Sequence, residues 1–389
     1  MTMIPFMAGG RFSARSLLCA FLVIAPAAST VRAEDRALQE ATAFFGQVLH
    51  IETGVPALVV AAVRGEEVAI EGFGERADGS GQEPDGRTLM RVGSITKAFA
   101  GQVLASLVAD GTVGLADPLA DHLTWAKRGS DDAGGPIRLI DLVTHSAGLP
   151  REVPHEPGSE EDPFANITRA AFEQWLGSEP LLFRPGSAVL YSNFGFDLLA
   201  AALGSAAGTT YADLLRERVT GPIGMNDTTF VPNENQSGRI MQGHGFEGEA
   251  LPAVPTGDAI VGSGGLYSTA EDMALWLKWH LGRFADDGAD VRLIDHASYL
   301  YRDGLKMVFG MDESGRMDAI GLGWVVMMPR EDRPLILQKA GGLQGIFSYV
   351  AFAPTRNVGV FVAINAFDFG AAMAMTEAAN DFIASLSPR

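Results

Sequence analysis

The segments best suited to β structure lie at the two ends of this chain, far apart in sequence. Near the start, residues 57–63, a turn at Arg64-Gly65-Glu66 and residues 68–73 read as a β-hairpin. Near the end, 323–328, 335–339, 346–353 and 359–364 are short β-rich runs separated by Pro, Arg and Asn turns. The stretch between them carries helical periodicity instead, at 170–176, 196–204 and 211–219, with long loops. This arrangement predicts an α+β fold: one antiparallel sheet built from both ends, flanked by helices, with a mainly helical region inserted. The α/β part is expected at 34–97 and 254–389, and the helical region at 98–253. The flanking helices are expected at 35–51, at 270–281 with a cap from Thr269 and Asp272, and at 371–386.

Residues 1–33 are set apart from that fold. Arg11 and Arg15 precede an apolar run over 17–28, and Val31-Arg32-Ala33 is a small-x-small cleavage pattern. This reads as a secretory signal peptide, the run being short for a membrane span; an uncleaved anchor is the alternative. The only cysteine, Cys19, falls inside the run, behind Leu18 rather than the small residue a lipoprotein signal needs. From Glu34 onward no disulfide, thiol catalysis or cysteine metal site is available. Without the three arginines of that segment, 26 Lys and Arg face 47 Asp and Glu, a net charge of −21. So acidic a chain excludes nucleic acid as a partner.

Three elements carry chemistry. Arg91-Val92-Gly93-Ser94-Ile95-Thr96-Lys97 places a Ser and a Lys three residues apart at the start of a helix, where both share a face. A partly desolvated lysine can take the proton of a serine hydroxyl and turn it into a nucleophile. The second element is Tyr191-Ser192-Asn193: a phenol near ammonium groups can shuttle protons, and Asn193 offers a donor and an acceptor. The third, Lys339-Ala340-Gly341-Gly342, ends a predicted strand with a cation and a glycine pair that lets a substrate backbone lie close. Each has a bland reading as well: a solvated helix start, an aromatic core residue beside a turn, a surface lysine before a turn. His145 is expected to pack or bond within its loop rather than act as a base. No Gly-x-Ser-x-Gly, His-Glu-x-x-His or phosphate-binding loop occurs.

In this order, Ser-x-x-Lys, Tyr-x-Asn and Lys-x-Gly give the chain a resemblance to the serine β-lactamase and penicillin-binding-protein superfamily, class C branch. The stretches 144–152, 221–230, 262–269, 319–324 and 333–353 resemble the AmpH-type D-alanyl-D-alanine carboxypeptidase/endopeptidases within it. The resemblance implies a periplasmic serine hydrolase acting on peptidoglycan stem peptides or muropeptides, acylated by β-lactams, without a cofactor or metal. It gives Ser94 as nucleophile, Lys97 as its base partner and Tyr191 as proton shuttle. Asn193 and Gly341 become substrate contacts, Lys339 the carboxylate-facing cation, and the backbone N–H groups of Ser94 and Gly342 the oxyanion hole. A class C-like β-lactamase or a promiscuous esterase or amidase is the alternative, and loose membrane association stays open. One residue departs from the pattern: Ala340 stands where the family carries Thr or Ser. A lost charge-assisted hydrogen bond costs about 1.5–3 kcal/mol, which weakens selection for a free terminal carboxylate.

Overall fold

A computed structural model describes residues 27–126, 134–282 and 285–386. The expected signal segment lies outside the described residues up to position 26. Helix α1 spans Ala27–Thr53, so it begins upstream of the 35 expected from periodicity. The sequence offers no reason to stop it there, because no Pro and no Gly occur between Ala27 and Gly46.

After α1 come β1 (Ala57–Arg64) and β2 (Glu67–Gly74), then α2 (Thr96–Ala109). The helical stretch includes α3 (Asn193–Ala207), followed by α4 (Ala270–Leu281). The chain returns to strands with β3 (Leu300–Tyr301), β4 (Ala319–Ile320), β5 (Val325–Met327) and β6 (Ile336–Leu343). Strands β7 (Ile346–Ala353) and β8 (Val358–Ile364) complete the sheet, and α5 (Phe369–Leu386) closes the fold. The sheet has eight strands in the order β2-β1-β8-β7-β6-β5-β4-β3, every neighbouring pair antiparallel. The two ends of the chain meet where β1 pairs with β8, with Val60 opposite Val362.

Strand β1 is an apolar run because both of its faces are covered. Leu58, Val60 and Ala62 join Leu38, Leu49, Met375 and Ile383 on the side of α1 and α5. Val59, Ala61 and Val63 alternate to the other side, against Phe99, Val103 and Trp276 of α2 and α4. Helix α2 is therefore sandwiched, buried nearly all round, and cannot tilt without disturbing the sheet.

Three local expectations change. The third motif does not end its strand: β6 runs through it to Leu343, paired with β7 from Leu337 to Leu343. The glycine pair reads as a break in sequence, but glycine in a strand also marks close backbone approach. On its other side β6 meets β5 only over 336–338, so from Lys339 onward that edge carries no strand. The segment 211–219 is two pieces, Tyr211–Leu215 and a π-helical turn Arg216–Thr220. The two-residue ladders Met90–Arg91 with Tyr267–Ser268, and Val189–Leu190 with Val308–Phe309, are too short to leave a periodicity. Among the described residues no single helix is long and apolar enough to cross a membrane.

Candidate active site

Ser94 sits in a 3-10 turn, Gly93–Ile95, that runs directly into α2. Gly93 has φ +51°, and Thr96 Oγ1 donates to the Gly93 carbonyl at 2.7 Å, fixing the turn against the helix. Lys97, in the first turn of α2, is fully buried. Its ammonium donates to Ser94 Oγ (3.1 Å), Asn193 Oδ1 (2.6 Å) and the Ser263 carbonyl (2.5 Å). Three hydrogens thus meet three acceptors. Burial lowers the Lys97 pKa to about 7, opposed by the negative charges of Asp197 and Glu152 and assisted by Arg151. An amine half-neutral near pH 7 can carry or release a proton at little cost.

The Tyr191 hydroxyl donates to the same Ser94 Oγ at 2.6 Å. Its backbone is clamped on both sides. Leu190 N–H donates to the His145 carbonyl (3.0 Å), Tyr191 N–H to the Phe309 carbonyl (3.1 Å) and Ser192 N–H to His145 Nδ1 (3.0 Å). The ring is stacked on His145 at 4.5 Å between centroids. Around it stand three cations, Arg151 at 4.8 Å, Lys97 at 4.9 Å and Lys339 at 5.3 Å from the ring centre. His145 has φ +57°, and burial, with Lys97 and Lys339 adding to it, holds its pKa well below the ordinary histidine range. Its neutral ring packs Tyr191, with Nδ1 already occupied by Ser192 N–H.

Asn193 opens α3, whose cap is Ser192 accepting from Gly195 N–H at 3.0 Å. With its oxygen on Lys97, Asn193 turns Nδ2 to Glu152 Oε1. Lys339 is buried on β6 and donates to the Ala340 carbonyl at 2.8 Å. Burial lowers its pKa, Tyr191 works to raise it and Lys97 lowers it further. Beyond it, the backbone of β6 presses on the turn that holds Ser94. A Cβ added to Gly341 would stand 2.9 Å from Ser94 N. The unpaired stretch of β6 and the Ser94 turn therefore form the two lips of one cleft. A cavity of about 480 Å³ opens beside Tyr191, walled by Arg151, Phe309, Asp312 and Glu313.

All of the site residues expected from sequence, Ser94, Lys97, Tyr191, Asn193, Lys339, Gly341 and Gly342, meet at this cleft. Sequence reasoning passed over Arg151, Glu152, Asp197 and Ser263, which surround Lys97 and Tyr191. Spacing could have found Asp197, four residues after Asn193 on one helix face. The other three reach the site from loops and leave no periodic signal. Among the described residues, one group of three possible metal ligands, His280, Asp295 and His296, lies together in an aromatic wall of Trp276, Trp324 and Phe352. The Trp324 indole donates to Asp295 Oδ2 at 2.9 Å.

In chemical terms the cleft offers a hydroxyl bonded to two proton carriers, a second buried cation and a close-set pair of backbone edges. That combination suits acyl transfer through a serine.

The family model described as Beta-lactamase matches residues 32–384. The D-alanyl-D-alanine-carboxypeptidase/endopeptidase AmpH of Escherichia coli K12 is 36% identical over 338 residues, covering 86% of each chain. A beta-lactamase of Pseudomonas fluorescens is 24% identical over 80% of this chain and 88% of its own length. Among solved structures, a beta-lactamase/D-alanine carboxypeptidase from Yersinia pestis, complexed with citrate, superposes with a TM-score of 0.79 at 35% identity. The match covers 90% of this chain and 98% of that one. A class C beta-lactamase shares the fold at TM-score 0.77 and 16% identity, over 92% of this chain and 98% of its own.

Proposed function

The chain belongs to the beta-lactamase family, and on that premise we propose that it is a periplasmic serine DD-peptidase cleaving peptidoglycan peptides through an acyl-enzyme on Ser94. The observation that carries this reading is the pair of hydrogen bonds to one oxygen, Lys97 at 3.1 Å and Tyr191 at 2.6 Å from Ser94 Oγ.

Ser94 Oγ attacks the carbonyl carbon of the peptide bond before the last D-alanine, or of a cross-link. Its proton passes to the Lys97–Tyr191 pair, both of which are hydrogen-bonded to Ser94 Oγ. The negative charge that develops on the carbonyl oxygen falls between the N–H groups of Ser94 and Gly342. Collapse of the tetrahedral intermediate breaks the C–N bond, and the pair returns its proton to the leaving amine. Water then attacks the ester carbonyl and gives its proton to the pair; collapse breaks the C–O bond to Ser94, and the pair returns the proton to Ser94 Oγ as the acid leaves. Asn193 Nδ2 has a second hydrogen, beyond the one given to Glu152, for the substrate amide. Lys339 supplies the positive charge for a carboxylate, and an extended peptide lies along the unpaired edge of β6, which Gly341 lets press against the Ser94 turn.

Ala340 puts no hydroxyl beside that carboxylate. Cleavage of cross-links, where the leaving group is longer than a single D-alanine, gains weight accordingly. The β-lactamase reading shares every step up to acylation, and the Pseudomonas fluorescens relative favours keeping it as the second reading. An exported location rests on the sequence of residues 1–33. Digestion of purified muropeptides decides between the two readings. Release of D-alanine or splitting of dimers supports the peptidase, whereas nitrocefin turnover without muropeptide cleavage replaces it with the lactamase.

A further inference from the structure

The C-terminal ends of α4 and of the short helix Ala289–Asp295 converge away from the Ser94 cleft. His280 in the last turn of α4, with Asp295 and His296 at the end of the second helix, brings three ligand-type atoms together there. His280 Nδ1 and His296 Nε2 are 2.9 Å apart, and Asp295 Oδ2 lies 3.7 Å from the first and 3.8 Å from the second. A point equidistant from these atoms lies about 2.0 Å from each, the length of a Zn–N or Zn–O bond. A proton shared between the imidazoles accounts for the 2.9 Å contact alone. It does not account for a carboxyl group held almost evenly between two nitrogens, too far to accept a hydrogen bond from either. The His280 and Asp295 side chains are fully buried, and that of His296 is 17% exposed. The Trp324 indole satisfies Asp295 Oδ2, but Asp295 Oδ1 and His280 Nε2 have no hydrogen-bond partner among the described residues.

We propose that His280 Nδ1, Asp295 Oδ2 and His296 Nε2 bind a Zn²⁺ ion as a structural brace, separate from the Ser94 cleft. Two imidazoles and one carboxylate are a zinc donor set, whereas Mg²⁺ and Ca²⁺ prefer oxygen alone. The imidazoles then carry their hydrogens on the other nitrogens, Nε2 of His280 and Nδ1 of His296. The Trp324 bond to Asp295 Oδ2 holds the carboxylate in place, as the partners of metal-bound carboxylates do. Both helices bring the negative ends of their dipoles toward the cluster, which favours a cation. The nearby Arg292 guanidinium is engaged elsewhere, donating to the Ala285 carbonyl (2.6 Å) and the Asp287 carbonyl (2.7 Å). Access is from the side on which His296 is partly exposed, and the fourth position falls to a water. Such an ion ties α4 to the segment that leads into β3. Through Trp276, stacked on Phe99 at 3.9 Å, α4 packs in turn on the helix that carries Lys97.

The test is titration of the full chain, stripped with a chelator, with zinc chloride alone, followed by calorimetry and by thermal unfolding. The wild type is expected to take up one ion per chain. Its Tm should rise by about 3–4 °C when free Zn²⁺ stands at a hundred times the Kd. Titration with Co²⁺ in place of zinc should give the visible absorption bands of a tetrahedral site. Asp295→Asn, which keeps an acceptor for Trp324, and His296→Ala are each expected to weaken binding by about a hundredfold or more. His296→Gln keeps the bulk of the side chain and serves if the alanine variant does not fold. A wild type without a saturable one-to-one site, or an affinity unchanged in the Asp295 and His296 variants, overturns the proposal. None of these readouts involves Ser94, so the outcome is independent of the acylation reading.

Discussion

Gly93 and Gly342 touch backbone to backbone: a Cβ added to Gly93 would stand 2.6 Å from the Gly342 amide nitrogen, and Gly93 holds φ +51°. The turn that presents Ser94 and the strand edge that carries the third motif are thus joined without an intervening side chain. Gly93→Ala meets two penalties, left-handed strain and a collision with backbone that cannot swing aside. It should lose about 1–3 kcal/mol in urea unfolding and lose penicillin labelling out of proportion, because the cleft lips separate. Near-normal labelling would show that this contact is not needed.

Lys97 lies at about 7 on the pH scale, so its neutral form grows as pH rises through that value. The acylation rate of the wild type should climb through about pH 7 and level off above it. Lys97→Arg keeps the charge but never becomes neutral. The expected cost is about 10²–10⁴-fold in acylation rate, with folding retained by circular dichroism. A profile flat from pH 5 to 9 argues against Lys97 as the group that must give up its proton.

Ala340 can be given back the hydroxyl it lacks. With Ala340→Thr, release of free D-alanine from a pentapeptide should gain about ten- to a hundredfold in kcat/KM, while dimer cleavage changes less. Equal effects on both substrates would mean that position 340 does not read the terminal carboxylate.

Asn365 tests the frame rather than the chemistry. It is fully buried at the end of β8, where Oδ1 accepts from Ala57 N–H (2.6 Å) and Nδ2 donates to the Gln242 carbonyl (3.0 Å). Asn365→Ala strands a buried amide at the start of β1 and should cost about 1–3 kcal/mol in urea unfolding. Unchanged stability would mean that water satisfies that amide.

The architecture is legible in the sequence because its β-rich runs are long enough to show and sit at opposite ends of the chain. Helix 270–281 shows its cap in Thr269, and β7 is bounded by turn residues on both sides. The glycines of 341–342 mislead, since spacing alone does not tell a strand break from a strand pressed against a neighbour. Ser94 and Lys97 are legible from one helical turn. Tyr191 and Lys339 arrive from other elements and gain meaning only through the order of the three motifs. Glu152, Arg151 and Ser263 reach the site through loop paths that no periodicity records.

The central claim is that Ser94 becomes covalently acylated. Incubation with a fluorescent penicillin, followed by intact-protein mass measurement, tests it most directly. The account predicts a mass increase of one ligand on the wild type and none on Ser94→Ala. Equal labelling of the two proteins, or no labelling of the wild type, would contradict it.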